Sequence, residues 1–177
     1  MITYISLTGT GGQGIILAGI ILAEAAILEG KQAIQTQSYG PEARGGASKA
    51  EVIISDEAID YPKIVTADIL LAMSQEACTK YSGVLKKGGK MIVDATNVDD
   101  IPAIDADILA VDITKAARDQ LKKDMFANII ALGVLVGSTG IVGRKAVVEA
   151  VLARVPKGTE EVNTKALEIG FSLGEKK

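Results

Sequence analysis

Gly9, Gly11 and Gly14 stand in a Gly-x-Gly-x-x-Gly spacing between a strand-forming run and a helix-forming run. Residues 3–8 (TYISLT) are rich in strand formers and residues 15–29 (IILAGIILAEAAILE) in helix formers. A tight strand-to-helix turn aims backbone N–H groups and the positive helix end, roughly half an elementary charge, at whatever lies above it. The segment LTGTGGQGI, residues 7–15, therefore reads either as an anion cradle or as a turn whose glycines let helix and strand pack closely. Both readings begin an α/β fold.

The next strand argues against a nicotinamide dinucleotide. A unit that binds one carries an Asp or Glu at the end of its second strand, about 20 residues on, to take the ribose hydroxyls. The second strand candidate, QAIQTQ at 32–37, ends in Thr36, Gln37 and Ser38 with no carboxylate. Glu29 belongs to the last turn of the first helix, and Lys31 lies on the wrong side of the strand to read a 2′-phosphate.

SYGPEARGGAS, residues 38–48, then breaks the rhythm with glycines and a proline, so no helix or strand is expected to run through it. Long loops in compact domains tend to be functional. Arg44 is the fixed cation of this segment, either gripping a carboxylate or phosphate bidentately or pairing with Glu42 in solvent.

GTGGQG at 9–14, SYGPEARGG at 38–46 and NIIALGVLVG at 128–137 together resemble the gamma subunits of 2-oxoacid:ferredoxin (acceptor) oxidoreductases, the group that includes pyruvate and 2-oxoglutarate synthases. The resemblance spans nearly the whole chain, and the tyrosine-glycine loop with its Arg-Gly-Gly is its specific element. Gly9, Gly11, Gly12, Gln13 and Gly14 match the first motif. Tyr39, Gly40, Arg44, Gly45 and Gly46 match the second, and Asn128 and Gly133 the third. The resemblance implies cofactor-contacting positions at the first two sets and at Asn128, with no catalytic or metal-binding residue in this chain. It implies a complex that converts a 2-oxoacid, 2-oxoglutarate or a related acid, and coenzyme A to acyl-coenzyme A and CO2 while reducing ferredoxin. That complex would use thiamine diphosphate, Mg2+ and iron-sulfur clusters, none bound by this chain alone. Alpha, beta and ferredoxin-like delta subunits would be its partners, with a homodimer as the isolated form. The alternatives are a stand-alone NAD(P)-binding reductase and a non-catalytic scaffold.

Composition agrees with that division of labour. A [4Fe-4S] cluster takes four thiolates, and the 177-residue chain has one cysteine, Cys78. Cys78 reads as a small buried filler. Histidine is absent, which removes the commonest general base and metal ligand. A net charge of −3 with 3% aromatics gives neither a basic strip nor a stacking platform for nucleic acid. The N-terminus reads as a first strand rather than a signal peptide, and the apolar helices are too short to span a bilayer, so a cytoplasmic location away from membranes is expected.

The remaining pattern predicts one domain over 1–177, a three-layer Rossmann-like α/β fold with a mostly parallel sheet, helices on both faces and a helical C-terminal third. Strands are expected at 49–55, 67–73, 90–95 and 106–113, the first of them antiparallel to its predecessor because no crossover helix intervenes. Helices are expected at 74–82, capped by Ser74, and at 114–123, 125–139, 143–155 and from Thr159, its expected N-cap, onward. Lys86–Gly89 reads as a turn. Asn128 interrupts an apolar helix, either as a buried amide bonded to nearby backbone or as a polar contact toward the glycine-rich turn. The first helix is apolar on every side and needs cover beyond the sheet, from other helices or from a subunit interface.

Overall fold

The computed structural model describes residues 1–39 and 46–175, with the Tyr39 side chain also outside the described set. Gly40, Arg44 and Gly45 fall outside it as well. Six strands, β1 (Ile2–Thr10), β2 (Gln32–Tyr39), β3 (Ala47–Ser55), β4 (Ala67–Ala72), β5 (Leu85–Asp94) and β6 (Ala106–Val111), form one sheet in the order β2-β3-β1-β4-β5-β6. β1, β4, β5 and β6 are parallel neighbours. β3 alone runs against them, paired antiparallel to both β1 and β2. The antiparallel expectation for this strand is borne out, and β3 also separates β2 from β1.

Among the described residues six helices cover the sheet: α1 (Ile15–Leu28), α2 (Gln75–Tyr81), α3 (Ile113–Leu121), α4 (Ala127–Thr139), α5 (Arg144–Arg154) and α6 (Glu160–Gly174). The main core joins one sheet face, through Ile5, Leu7, Val52, Leu71 and Ile92, to α1, α3, α4, α5 and α6. A smaller core on the other face joins Leu70, Met91 and Val93 to α2 and the segment after β5, with Cys78 fully buried in it as expected. Continuous Val/Ile/Leu runs in the central strands follow from that cover on both faces.

α1 finds its cover mainly within the chain. It lies across β1, β2 and β3 and is roofed by α4 and α5, with Arg154 of α5 gripping Glu24 of α1. Only its last turn shows large apolar side chains to solvent, Ile27 and Leu28.

Three local expectations need correction. Residues 38 and 39 extend β2 while 47 and 48 begin β3, with Tyr39 opposite Ser48 and Ser38 opposite Lys49. The antiparallel ladder thus continues into what reads as loop by its glycine content. Lys86–Gly89 is no free turn, because it lies within β5, where the pairing to β4 shifts register and Gly88 adopts φ 69°. Thr159 does occupy the N-cap position of α6, but its hydroxyl donates to the Pro156 carbonyl and does not cap the helix. Ser74, by contrast, accepts from the Ala77 N–H at 3.2 Å as an N-cap should.

α4 and α6 approach most closely at glycine. Gly133 of α4 faces Gly170 of α6, Gly137 faces the Phe171 backbone and Gly174 the backbone of Val134 and Ser138, and a Cβ on Gly133 would lie 2.6 Å from the Leu167 carbonyl oxygen and 2.9 Å from the Gly170 Cα. Gly133, matched to the third motif, is therefore a helix-packing residue in this structure. Among the described residues no helix is long and apolar enough to cross a membrane.

Candidate functional site

The glycine-rich turn stands at the C-terminal end of β1, beside the ends of β4, β5 and β6, where open α/β sheets bind ligands. Gln13 builds the turn from inside. Its Oε1 accepts the Thr10 N–H at 2.7 Å and its Nε2 donates to the Met73 carbonyl at 3.0 Å, tying the ends of β1 and β4 together. This amide is spent on structure. Gly9 lies in β1, with its carbonyl accepting the Ser48 hydroxyl at 3.4 Å.

The second motif reaches the first through its last residue. The Gly11 N–H donates to the Gly46 carbonyl at 3.2 Å, so the residue just before β3 lies against the turn. Asn128, at the start of α4, donates from Nδ2 to the Gly14 carbonyl at 3.3 Å and accepts the Ile129 N–H at 2.9 Å. Both readings of Asn128 thus describe one geometry, a 7%-exposed amide whose backbone partner is the glycine-rich turn. Gly40, Arg44 and Gly45 lie outside the described residues, as does the side chain of Tyr39.

Gly14 is the N-cap residue of α1 at φ 74°, and no side chain caps the helix. The N–H groups of Gly12 and Gly14 meet no acceptor among the described residues. α3 differs. The buried Asp94 carboxylate at the end of β5 accepts the Ile113 N–H at 2.9 Å and the Thr114 N–H at 3.2 Å, together with the Thr96 N–H, the Asn97 amide and the Thr114 hydroxyl. At this edge the N-terminus of α3 is filled by an internal anion and that of α2 is capped by Ser74, whereas α1 has no side-chain cap among the described residues.

Beside the α1 N-terminus lies a cavity of about 580 Å³, lined by Gly12, Gln13, Gly14, Asn97, Thr114, Arg118, Asp124, Met125 and Ala127. Arg118 and Asp124 form a bidentate pair across it, Nε to Oδ1 at 3.1 Å and Nη2 to Oδ2 at 2.8 Å. That hydrogen bond holds the Asp124 carboxyl below the usual carboxylate range and raises the Arg118 guanidinium further. Met125 also borders a second, mostly apolar groove of about 380 Å³ with Leu17, Phe126, Ile129, Val155 and Pro156. Arg118, Asn97 and Thr114 are not legible as site residues in the sequence. A strand ending in Asp, as β5 does at VDAT, is the signal that points to the Asp94 network.

The topology removes the dinucleotide reading on a second ground. In a nicotinamide-binding unit the second strand lies next to the first, so its terminal carboxylate reaches the ribose. Here β3 intervenes, and the end of β2 is a strand's width too far from the turn.

Residues 4–173 match the family described as pyruvate ferredoxin/flavodoxin oxidoreductase. The chain belongs to that family. It is 49% identical over 172 residues to the 2-oxoglutarate synthase subunit KorC of Methanocaldococcus jannaschii, covering 96% of this chain and 92% of the relative. The crystal structure of the gamma subunit of a keto/oxoacid ferredoxin oxidoreductase from Geobacter sulfurreducens superimposes with a TM-score of 0.88 at 49% identity, over 97% of this chain and 98% of that one. The 2-oxoglutarate:ferredoxin oxidoreductase of Magnetococcus marinus, solved with 2-oxoglutarate, coenzyme A and succinyl-CoA bound, also gives 0.88. At 22% identity, with 98% of this chain matching 31% of that one, it shares the fold. The gamma-subunit expectation is borne out, and the stand-alone reductase is not supported.

Gly14 offers a direct test of this geometry. A Cβ there would lie 2.9 Å from Asn128 Cγ and would also be held in the left-handed region. Gly30 has a similar φ, 79°, with nothing within 4 Å of its Cβ. Gly30→Ala is expected to cost about 1–2 kcal/mol from backbone strain alone. Gly14→Ala is expected to cost about 1–2 kcal/mol more, since Asn128 must also move. Thermal denaturation checks the difference, and equal melting temperatures for the two variants would mean that the Asn128 contact yields freely.

Proposed function

We propose that this gamma-type chain serves a complex that oxidatively decarboxylates 2-oxoglutarate to succinyl-coenzyme A with reduction of ferredoxin, and that its own part is to hold a phosphate of coenzyme A at the glycine-rich turn. The observation that carries the ligand assignment is the pair of N–H groups at Gly12 and Gly14 with no acceptor among the described residues, on two residues that line the cavity beside an uncapped helix. The substrate assignment rests on the 49% identity to a 2-oxoglutarate synthase subunit over nearly the full length of both chains. Coenzyme A is a bound molecule of the Magnetococcus complex, whose larger chain includes this fold.

The donors present suit a phosphate ester and not the other groups such a complex uses. A cluster requires thiolates, and Cys78 is alone and fully buried. The sequence also lacks a Gly-Asp-Gly with a downstream Asn, the pattern that holds a magnesium diphosphate in thiamine enzymes. Alpha, beta and delta chains supply those groups on this reading, and ferredoxin accepts the electrons.

Hydrogen exchange on the assembled complex tests the assignment. Coenzyme A is expected to protect the N–H groups of residues 11–17 and 38–48. Protection confined to partner chains would leave this subunit as a scaffold.

A further inference from the structure

Arg118 projects from α3 into the 580 Å³ cavity and is the sole cation among the described residues that line it. Its guanidinium is engaged by the Asp124 carboxylate, and both side chains are more than half exposed. A solvated pair of this kind contributes little to folding, so little holds the fork closed against a competing anion. The other polar side chains at the cavity are committed elsewhere. Thr114 and Asn97 serve Asp94, and Gln13 serves Thr10 and Met73. The buried Asp94 and the neighbouring Asp119 are the further charges that act on Arg118.

We infer that Arg118 reads a phosphate ester in this cavity, and that Asp124 is a carboxylate stand-in which holds the guanidinium fork until the phosphate displaces it. The inference depends on the proposed function only for the identity of the phosphate's carrier. A guanidinium offers the same two parallel N–H bonds to a phosphate as to a carboxylate, so the exchange conserves hydrogen bonds while the anion gains charge. Asp124 also opens the 3-10 turn Asp124–Phe126, whose Met125 is 70% exposed and borders both the polar cavity and the apolar groove. Displacing Asp124 therefore unpins the residue between the two compartments. A carrier with a phosphate at one end and an extended apolar arm fits both.

Calorimetric titration of the full chain and of the assembled complex tests this with coenzyme A, 3′-dephospho-coenzyme A and inorganic phosphate. Arg118→Gln is expected to weaken coenzyme A binding by about tenfold or more. Asp124→Asn is expected to tighten it by about two- to fivefold, since the competing carboxylate is gone. A merely structural ion pair would weaken binding equally in both variants, or in neither, and either result overturns the inference. An Arg118→Gln penalty that disappears with the dephospho form assigns the contact to the 3′-ester, and one that persists assigns it to the pyrophosphate. Unchanged coenzyme A affinity in Arg118→Gln overturns the inference while leaving the coenzyme A assignment in place. Arg118-dependent binding of inorganic phosphate without any binding of coenzyme A does the reverse. No binding of any probe overturns both.

Discussion

The isolated chain, given 2-oxoglutarate, coenzyme A, thiamine diphosphate, magnesium and an artificial electron acceptor, is expected to form no acyl-coenzyme A. Carrying electrons through an iron-sulfur cluster takes several thiolates. The single thiol, Cys78, is buried in the smaller core, where burial pushes its pKa up and keeps it protonated. No histidine exists to act as a base. The polar side chains around the cavity spend their hydrogen bonds on one another or on backbone, which suits holding a molecule and not transforming one. Turnover is expected only after partner chains are added. Steady acyl-coenzyme A formation by the homogeneous chain, at a rate that survives repurification, would sink both the subunit assignment and the division of labour argued from it.

Gly170→Leu is expected to be the most damaging single substitution on the C-terminal side of the fold. A Cβ at this position would stand 2.7 Å from the Gly133 Cα and 2.9 Å from the Val134 nitrogen, and backbone atoms cannot swing aside as a side chain would. Accommodating leucine means driving α4 away from α6, which strips packing from Leu167 and Phe171, both essentially buried. Overpacking a filled core costs about 1–3 kcal/mol, and with no rotamer able to escape the loss here should reach or exceed the upper figure. For a chain of this size about 3 kcal/mol corresponds to a melting temperature lower by roughly 6–12 °C. Gly83→Ala, where nothing lies within 4 Å of the Cβ, serves as the control and should leave the melt nearly unchanged. A Gly170→Leu protein that melts with the parent would show that the two helices do not meet as described.

Legibility in the sequence tracks the range of the interactions involved. β1, α1 and the turn between them can be read from LTGTGGQGI because propensity, glycine spacing and the change of hydrophobic period lie within a few residues of one another. The strand boundary at Tyr39 is hidden because partners across the sheet, Ser48 and Lys49, keep that stretch extended against its local composition. Arg118 is hidden for a similar reason. In TKAARDQLKK it reads as one more solvated charge on a helix, and only the approach of α3 to the glycine-rich turn brings it to the cavity. The role of Gly133 is written in the spacing of Gly133 with Gly137 and Gly170 with Gly174, a stripe on each helix that lets two backbones touch.

Backbone-to-backbone contact has a mechanical side. Side chains between two helices act as springs that can change rotamer, whereas backbone against backbone, as where Gly133 meets Gly170, leaves no compliant layer at that point, and close-packed interiors transmit strain. α4 and α6 are consequently expected to move together as one beam. The beam is anchored at one end by the Asn128 amide on Gly14, and its outer flank carries Glu161, Lys165, Glu168 and Ser172 into solvent. A neighbour that leans on that flank is expected to press on the glycine-rich turn.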